Sequence, residues 1–582
     1  MSNGPAIGID LGTTYSVAAI YRNGRVEIIP NEESNAKNLT PSTVSYGEKE
    51  LLIGDPAKKK LVSNHSNVVY DMKRLIGKQL NDEKIDRSKH FWNFKIEPDG
   101  SGKPVVKVKY LGNPLDVRPE EVSAKVLEKL VEATEKKAYG KPKEAVITVP
   151  AYFNQGQKQG TIDAAEKAGL KVIELLTEPA AAAYGYLFKE NRLNDKCDFL
   201  VFDFGGGTFD VAVVSVDKGN VKVQSVGGDS HLGGRDLDNK LAKHISEEIF
   251  YHHEVDVEGN RKYRSKLYKM IEDIKIELST SLETSIYLGE LHDDLDENLT
   301  VTRDRFEELC QEIFERTIRK TKATLKDAEE QCNIKQSDIK EILLVGGSTR
   351  IPKIRQLLNK EFPSLKLNFA IDADEAVAYG AAIRAAQASG ALKAEISLTQ
   401  ATPLSIVPFS ITRTRFTANN NQTAILFKIV ESVRPLVDDS NEIGRLDLEG
   451  IKPNEAGQEK VKLTMSLDKN GILTVFAQYD GRTETMKINY SDQRSKASRN
   501  VDELLDEAER FRESDRVEKN RRVKQNELHN ILQKVDFRLD KSASNRNKYT
   551  DAQNWYDNNP KAPENEIEKQ IEALQEQFKS IL

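Results

Sequence analysis

Two short stretches carry the residue types that a phosphate group and a divalent cation require. Ile7 to Ser16 reads IGIDLGTTYS, and Val201 to Val214 reads VFDFGGGTFDVAVV. Each leads an apolar strand into an aspartate and then breaks into glycine and threonine. Glycine lets backbone approach a ligand closely and adopt unusual angles, and successive N–H groups in such a turn form an anion-binding nest. Magnesium keeps several of its waters, so one or two carboxylates suffice to hold it. Asp10 and Asp203 fit that role. Gly12, Thr13, Thr14 and Tyr15 make one candidate phosphate loop, and Gly205, Gly206, Gly207 and Thr208 make the other. A third stretch, LVGGSTRIPKI from Leu344 to Ile354, again runs strand, glycine pair and helix start, and its Gly346, Gly347, Ser348 and Arg350 are candidates to seat a nucleoside. A lone DxGTT reads equally well as a tight turn, but three such elements in order argue for two similar half-domains closing on one nucleotide. The triple glycine is not GxGxxG, and no GxxxxGK[ST] occurs, so dinucleotide and P-loop readings lack support.

These loops need strands and helices to hold them. Up to about Gln387, apolar strands such as EAVITVP (Glu144 to Pro150), DFLVFDF (Asp198 to Phe204) and EILLVGG (Glu341 to Gly347) alternate with helical stretches such as Arg305 to Ala328. That alternation predicts an α/β region with mostly parallel sheets. Ala388 to Pro403 is rich in small residues and reads as a linker. Beyond it, Val461 to Tyr490 alternates at period two and carries Asn470-Gly471 and Asp480-Gly481, both hairpin signals. From Ser498 the chain reads as helical, with Val501, Leu504, Leu505, Ala508 and Phe511 at helical spacing and Asn500 with Glu503 resembling a capping box. A last helix places Ile567, Ile571, Leu574 and Phe578 on one face.

A chain of 582 residues is too long for one core, and about three to five domains are expected. The net charge of −6 gives no polybasic signal for nucleic acid or an anionic membrane. No apolar run approaches the ~20 residues of a membrane span, and no charged-then-apolar leader precedes the first strand, so a cytoplasmic protein, with the nucleus also open to it, is expected. Cys197, Cys310 and Cys332 lack metal-ligand spacing and read as reduced thiols. His252-His253 and the acidic run from His292 to Asn298 lack zinc or EF-hand spacing and read as solvated loops.

The three loops, together with NVVYDMKRLIGK (Asn67 to Lys78), AVITVPAYFNQGQ (Ala145 to Gln157), LLTEPAAAAYGY (Leu175 to Tyr186), DSHLGGRDLDN (Asp229 to Asn239) and ADEAVAYGAA (Ala373 to Ala382), resemble segments of the heat shock protein 70 family in the same order. The resemblance runs over nearly the whole chain. It implies a multidomain protein: an α/β actin-like ATPase domain of duplicated ribonuclease-H-like halves over 1–387, a linker over 388–400, a shortened β-sandwich substrate domain over 401–495 and an α-helical lid over 496–582. It implies ATP and ADP as ligands with Mg²⁺, and K⁺ as a further cation. By matching position, Lys73 would sit against the γ-phosphate, where an ammonium stabilises developing charge. Glu178 and Asp210 would orient or deprotonate the attacking water, and Thr208 would hold that water or the γ-phosphate. Gly234, Glu272, Lys275, Ser279 and Asp374 would line the nucleoside and phosphate pocket. Pro150 resembles the family's proline switch, with Lys158 in place of its partner arginine; lysine keeps the charge but loses the planar fork.

The resemblance also implies unfolded or extended apolar polypeptides as clients and a nucleotide-exchange factor as a partner; from the charge and the apolar runs, neither nucleic acid nor membrane is expected. Departures from the family pattern bear on coupling. Ile276 stands where an arginine usually stacks on adenine, which predicts weaker ATP affinity. Glu174 replaces an arginine that contacts J-domain co-chaperones, and Thr177 replaces a nearby asparagine; the charge reversal weighs against J-domain docking. In the linker only Ile396 and Leu398 remain of an apolar run. The stretch from Pro403 to Asn421 is short for the family, leaving Phe416, Ile425, Phe427, Ile472 and Leu473 as candidate peptide-binding residues or as sandwich core. The C-terminal Ser580-Ile581-Leu582 has no acidic EEVD-type tail, so tetratricopeptide co-chaperones are not expected there. Two competing readings are an ATP-binding scaffold or regulatory co-chaperone with little client gripping, and a sugar-kinase-like enzyme, which leaves the residues after the linker without a purpose.

Overall fold

In a computed structural model of the chain, the structure describes residues 4–34, 38–80, 92–292, 294–393, 397–399, 410–417, 419–431, 441–455, 457–467, 473–487, 501–538 and 543–579. The first sheet is built from β1 (Ile7–Asp10), β2 (Tyr15–Arg22), β3 (Arg25–Ile28), β4 (Glu144–Val149) and β5 (Lys171–Thr177). The second uses β6 (Lys196–Phe204), β7 (Phe209–Asp217), β8 (Asn220–Asp229), β9 (Ile339–Val345) and β10 (Lys366–Asn368). The strand order is β5-β4-β1-β2-β3 in the first and β10-β9-β6-β7-β8 in the second, so the halves share one topology. In each, the first three strands are antiparallel neighbours and the last two join in parallel.

The sheets are therefore mixed, which corrects the expectation of mostly parallel sheets. The links from β1 to β2 and from β6 to β7 are only the glycine loops. Such short connections fold back as hairpins, whereas a parallel crossover needs a dozen residues or more.

Each sheet has its own apolar core. Ile7, Ile9, Ile147, Val149 and Leu175 belong to the first, and Phe202, Phe204, Val211, Leu344 and Ile354 to the second. We call these bodies the first and second lobes. Helix α1 (Gln155–Lys167) follows β4, α2 (Glu178–Lys189) follows β5, α3 (Gly234–His253) follows β8, α4 (Arg261–Glu277) follows α3, and α5 (Ala376–Ala388) follows β10. Gly380 brings α5 against α2 so closely that an added Cβ would meet the Ala181 carbonyl oxygen at 1.8 Å. Gly8 allows the same closeness between β1 and α5.

Within the stretch read as a linker, Ser397–Thr399 forms β11. It pairs in parallel with the outer edge of β8, with Leu398 opposite Val221. Ile396 lies outside the described residues. The following β region has strands β12 (Ser410–Phe416), β13 (Ala424–Glu431), β14 (Asn441–Glu449), β15 (Lys460–Leu467), β16 (Leu473–Tyr479) and β17 (Arg482–Lys487). They form a sheet of order β12-β15-β16-β17 and a separate β13-β14 pair. Asp480-Gly481 makes the tight turn from β16 to β17, both residues with positive φ. Asn470-Gly471 lies outside the described residues. Ile429, Leu446, Val461, Val475 and Tyr479 fill this small core.

By contacts, residues Met1–Ile429 with Ile443–Ser498 form one compact unit, and Val430–Glu442 with Arg499–Leu582 another. The second unit holds α6 (Val501–Arg538), α7 (Ala543–Asn558) and α8 (Glu564–Gln577). Its core joins Leu528, Leu532 and Val535 to Ile567, Ile571, Leu574 and Phe578, the apolar face expected of the last helix. Asn500 and the side chains of the first turns of α6 are outside the described residues. No described helix is long and apolar enough to cross a membrane.

Candidate nucleotide site

The ends of β1 and β6 deliver Asp10 and Asp203, because a strand that runs out of apolar residues ends where its glycine loop turns. The loops then meet. A methyl on Gly206 would lie 2.2 Å from Thr14 Oγ1, and one on Gly207 would lie 2.4 Å from Thr13 Oγ1. The pair expected from sequence is thus one contact surface, with Thr13 and Thr14 pressed over Gly206 and Gly207. The Thr14 hydroxyl is buried with no hydrogen-bond partner among the described residues. A buried orphan donor where two backbone nests face each other suits a phosphate oxygen.

Carboxylates converge beside the loops. Glu178 opens α2 immediately after β5 and accepts a hydrogen bond from Lys73 Nζ at 2.5 Å. Lys73 sits in the short 3-10 turn Met72–Arg74, is 9% exposed, and lies 5.9 Å from the Phe153 ring centroid. Asp10 accepts from Thr148 Oγ1 on β4 at 3.2 Å. Asp210 stands opposite Asp203 across the β6-β7 ladder and accepts the Ala151 N–H at 2.9 Å. Burial, and then the charge of Glu178, pushes the Asp10 carboxyl up to about 7. Burial and the neighbouring Glu178, Asp210 and Asp10 push Asp203 well above the carboxylate range. Burial alone would lower Lys73, but Glu178 and Asp10 outweigh it and hold its ammonium above the ordinary value. These carboxylates outnumber the Lys73 ammonium beside them. The donor set is all oxygen and short of positive charge, which fits a hard cation such as Mg²⁺.

The second lobe supplies the rest. Gly234 follows the loop residue Gly233 at the start of α3, and its N–H donates to the Gly205 carbonyl. A Cβ on Gly234 would come within 2.8 Å of Ser348 Oγ and 3.3 Å of Lys275 Nζ, so the three converge. Lys275 pairs with Asp238 at 2.7 Å. Ser348 donates to the Gly205 carbonyl at 3.0 Å, and Ser279 follows α4 with its hydroxyl on the Lys275 carbonyl. Arg350 is held by Asp374 at 2.8 Å and Asp372 at 3.3 Å. Gly346 has φ 81°, and a Cβ there would strike Phe204 O and Asp203 Oδ1; Gly347 approaches Asp374 in the same way.

Tyr15 takes a second part that its place in the loop does not announce. Its hydroxyl donates to Glu272 Oε1 at 2.8 Å and accepts from Lys58 Nζ at 2.7 Å. Lys58 also donates to Glu272 Oε2 at 2.6 Å. Burial would raise the Glu272 carboxyl, but Arg235, Lys58 and Lys275 hold it down at about 2.

Sequence reading missed Lys58, Thr148, Phe153 and Asp238. Thr148, Phe153 and Asp238 lay in recognised segments but carried no signal of their own, and Lys58 lay outside them; all four are ordinary residue types whose partners are remote in the chain.

The remaining expected positions fall elsewhere. Pro150 leads out of β4, and Lys158 is buried on α1. At the start of that helix Gln155 Oε1 accepts the N–H of Leu473 on β16 at 3.3 Å. Ile276 is 57% exposed on α4. Glu174 is 4% exposed and takes both its hydrogen bonds from Arg384 Nε, at 3.1 and 2.9 Å. Of the candidate peptide contacts, Ile425 and Phe427 pack partly buried against the small β core, and Leu473 is buried in it. Phe416 is half exposed with Lys460 Nζ 6.0 Å from its ring centroid. Ile472 lies outside the described residues.

Against known families, residues 6–582 match the family described as Hsp70 protein. Heat shock cognate 70 kDa protein 3 of Dictyostelium discoideum is 37% identical, the match covering 99% of this chain and 96% of that one. The heat shock 70 kDa protein of Neurospora crassa is also 37% identical, over 98% and 93%. A ribosome-associated molecular chaperone of Eremothecium gossypii is 36% identical, over 91% and 89%.

Proposed function

From the premise that the chain belongs to the Hsp70 family, we propose how the residues of its cleft divide the work. The protein is an ATP-dependent chaperone of the Hsp70 type, an ATPase that binds nucleotide and, as its family does, unfolded polypeptides. In our reading the two glycine loops cradle the β- and γ-phosphates through their backbone N–H groups, with Thr13 and Thr14 donating hydroxyls. The single observation that carries this is the buried Lys73 ammonium, wedged against Glu178 beside Asp10 where the loops touch. A cation fixed there in a dry site stabilises charge that develops on the transferred phosphoryl group. Thr208 holds the attacking water or the γ-phosphate, and Asp210 and Glu178 orient that water or take its proton. Asp10 and Asp203 would hold Mg²⁺ largely through its waters, and the ion would supply charge neutralisation between the phosphates; K⁺ is a further cation the site would accept. Gly234, Glu272, Lys275, Ser279, Gly346, Gly347, Ser348, Arg350 and Asp374 seat the nucleoside end. Exposed Ile276 beside them supports a weakened grip on adenine.

Pro150 and Lys158 couple this site to the β region, a route supported by the Gln155–Leu473 hydrogen bond and the docked β11. Phe416 is the best-supported peptide contact, while Ile425 and Phe427 serve the core. The partners we assign are extended apolar polypeptides and a nucleotide-exchange factor, in a cytoplasmic or nuclear setting. Ion pairing of Glu174 with Arg384 supports the reading that J-domain docking is altered.

The test is Lys73→Ala. It should retain labelled ATP and lose single-turnover hydrolysis by roughly a hundredfold or more. Turnover retained at the parent rate removes Lys73 from its assigned role.

A further inference from the structure

One side chain of α4 sits in the wrong lobe. Leu267, Ile271 and Ile274 of this helix belong to the second-lobe core, but Tyr268 packs into the first-lobe core with Tyr70, Phe94 and Trp92. Its ring stacks on Tyr70, centroids 5.3 Å apart and planes 25° apart. Tyr70 meets Phe94 edge-on at 5.3 Å, and Phe94 stacks on Trp92 at 5.7 Å. From the second lobe, the Arg235 guanidinium lies 4.8 Å from the Tyr268 ring centroid. Arg235 is 7% exposed, and its side chain approaches Asp71 of the first lobe at 3.4 Å and Asp238 of its own helix at 3.5 Å. An aromatic stack capped by a buried cation therefore crosses the cleft.

The stack also abuts the nucleotide machinery. The Arg235 N–H donates to the Gly206 carbonyl of the second loop at 2.8 Å. Tyr268 lies one helical turn before Glu272, and Thr14, Lys58, Tyr70, Arg235, Tyr268 and Glu272 share one small pocket. Beside it, Asn93 of the first lobe donates to Ser265 Oγ at 2.6 Å and accepts from Arg264 Nε at 2.7 Å. Any parting of the lobes must pull Tyr268 out of the first-lobe core and strip the cation from its face. Both contacts lose most when broken in a desolvated setting.

We propose that the Arg235–Tyr268–Tyr70 stack is a latch that holds the cleft closed and sets the rate at which bound nucleotide leaves. These are positioning residues: they act on the opening of the lobes. The latch rests on the reading that the cleft binds ATP.

The test uses the full chain, a fluorescent ADP analogue chased with unlabelled ATP, and single-turnover ATP hydrolysis in parallel. Tyr268→Leu and Arg235→Gln should each speed release of the analogue by about tenfold. Because both break one contact, the double variant should fall short of the product of the two effects. Tyr268→Phe keeps the stack and should release at the parent rate. Cleavage of bound ATP in Tyr268→Leu should stay within about twofold of the parent, since no contact to the reacting atoms is lost. Unchanged release in both Tyr268→Leu and Arg235→Gln overturns the latch, as does Tyr268→Phe releasing as fast as Tyr268→Leu. A parent chain that fails to bind the analogue overturns the nucleotide reading itself and the latch with it.

Discussion

Glu272 shows how much a side chain's neighbours decide. In the chain it is one acidic residue on a charged helix; in the fold it is buried among Lys58, Arg235 and Lys275 and tied to the Tyr15 hydroxyl. Its carboxyl is held at about 2, below the ordinary glutamate value of about 4.3. A depressed carboxyl adds stability that is fully present above the unfolded value and is lost as pH falls through the folded one. The contribution should therefore be whole above about pH 4.3 and vanish toward about pH 2, with a size of about 3 kcal/mol. Glu272→Gln should lower the denaturation midpoint at neutral pH, and the gap to the parent should close as acid is added. A gap independent of pH would show that the ionic ties do not stabilise the fold. Asp10 is displaced in the opposite sense, toward about 7, because burial and Glu178 dominate there. Asp10, Asp203 and the glycines were legible as chemistry in the sequence, since strand-aspartate-glycine is a local pattern. Lys58, Thr148 and Phe153 were not, because each acquires its role only from partners far along the chain.

Among the elements, the glycine loops decided strand direction as well as ligand chemistry. Their shortness forces β1 to β2 and β6 to β7 into hairpins, so the alternation of strands and helices, read without connection lengths, overstated the parallel character. Helix α5 is another element whose residues say little alone. ADEAVAYGAA looks like a small-residue helix, and the reason for its glycine is α2. A methyl at Gly380 would meet the Ala181 carbonyl oxygen at 1.8 Å and the Gly185 nitrogen at 3.0 Å. Gly380→Ala should cost about 1–3 kcal/mol in chemical denaturation, the range for forcing extra volume into a packed interior. Gly100, with nothing within 4 Å of an added Cβ, is the control, and Gly100→Ala should stay within about 0.5 kcal/mol of the parent. Equal effects at the two sites would contradict the close approach of α5 and α2. The linker belongs at this scale too. Its composition reads as a linker, and within it Ser397–Thr399 docks as β11 because the edge of β8 offers unpaired backbone groups.

At the scale of the whole molecule, Glu174 bears on how ATP hydrolysis is coupled to partners. Glu174 was read as a charge reversal facing a partner, whereas the fold places it inside, bound in both oxygens by Arg384. A J-domain protein is accordingly expected to leave ATP turnover unchanged. Restoring arginine at this position alone should not help, because Glu174→Arg sets two guanidinium groups against each other in a largely buried site and should destabilise the chain by about 3 kcal/mol. The exchange Glu174→Arg with Arg384→Glu should recover stability. Measuring denaturation and J-stimulated turnover for these variants separates an internal ion pair from a partner contact: a stable Glu174→Arg that responds to J-protein would refute the internal assignment.

What the residues alone determined is the ligand chemistry and the duplication behind it, because phosphate loops, strand ends and hairpin turns are short-range patterns. The family was legible for the same reason, in motifs spread along nearly the whole chain. What only the tertiary structure decided is which charges are spent inside the fold and which remain for partners. Glu174 turned out to be buried against Arg384, and Tyr268 to belong to the core of the other lobe. Burial and pairing are properties of contacts between distant residues, and no local spacing specifies them.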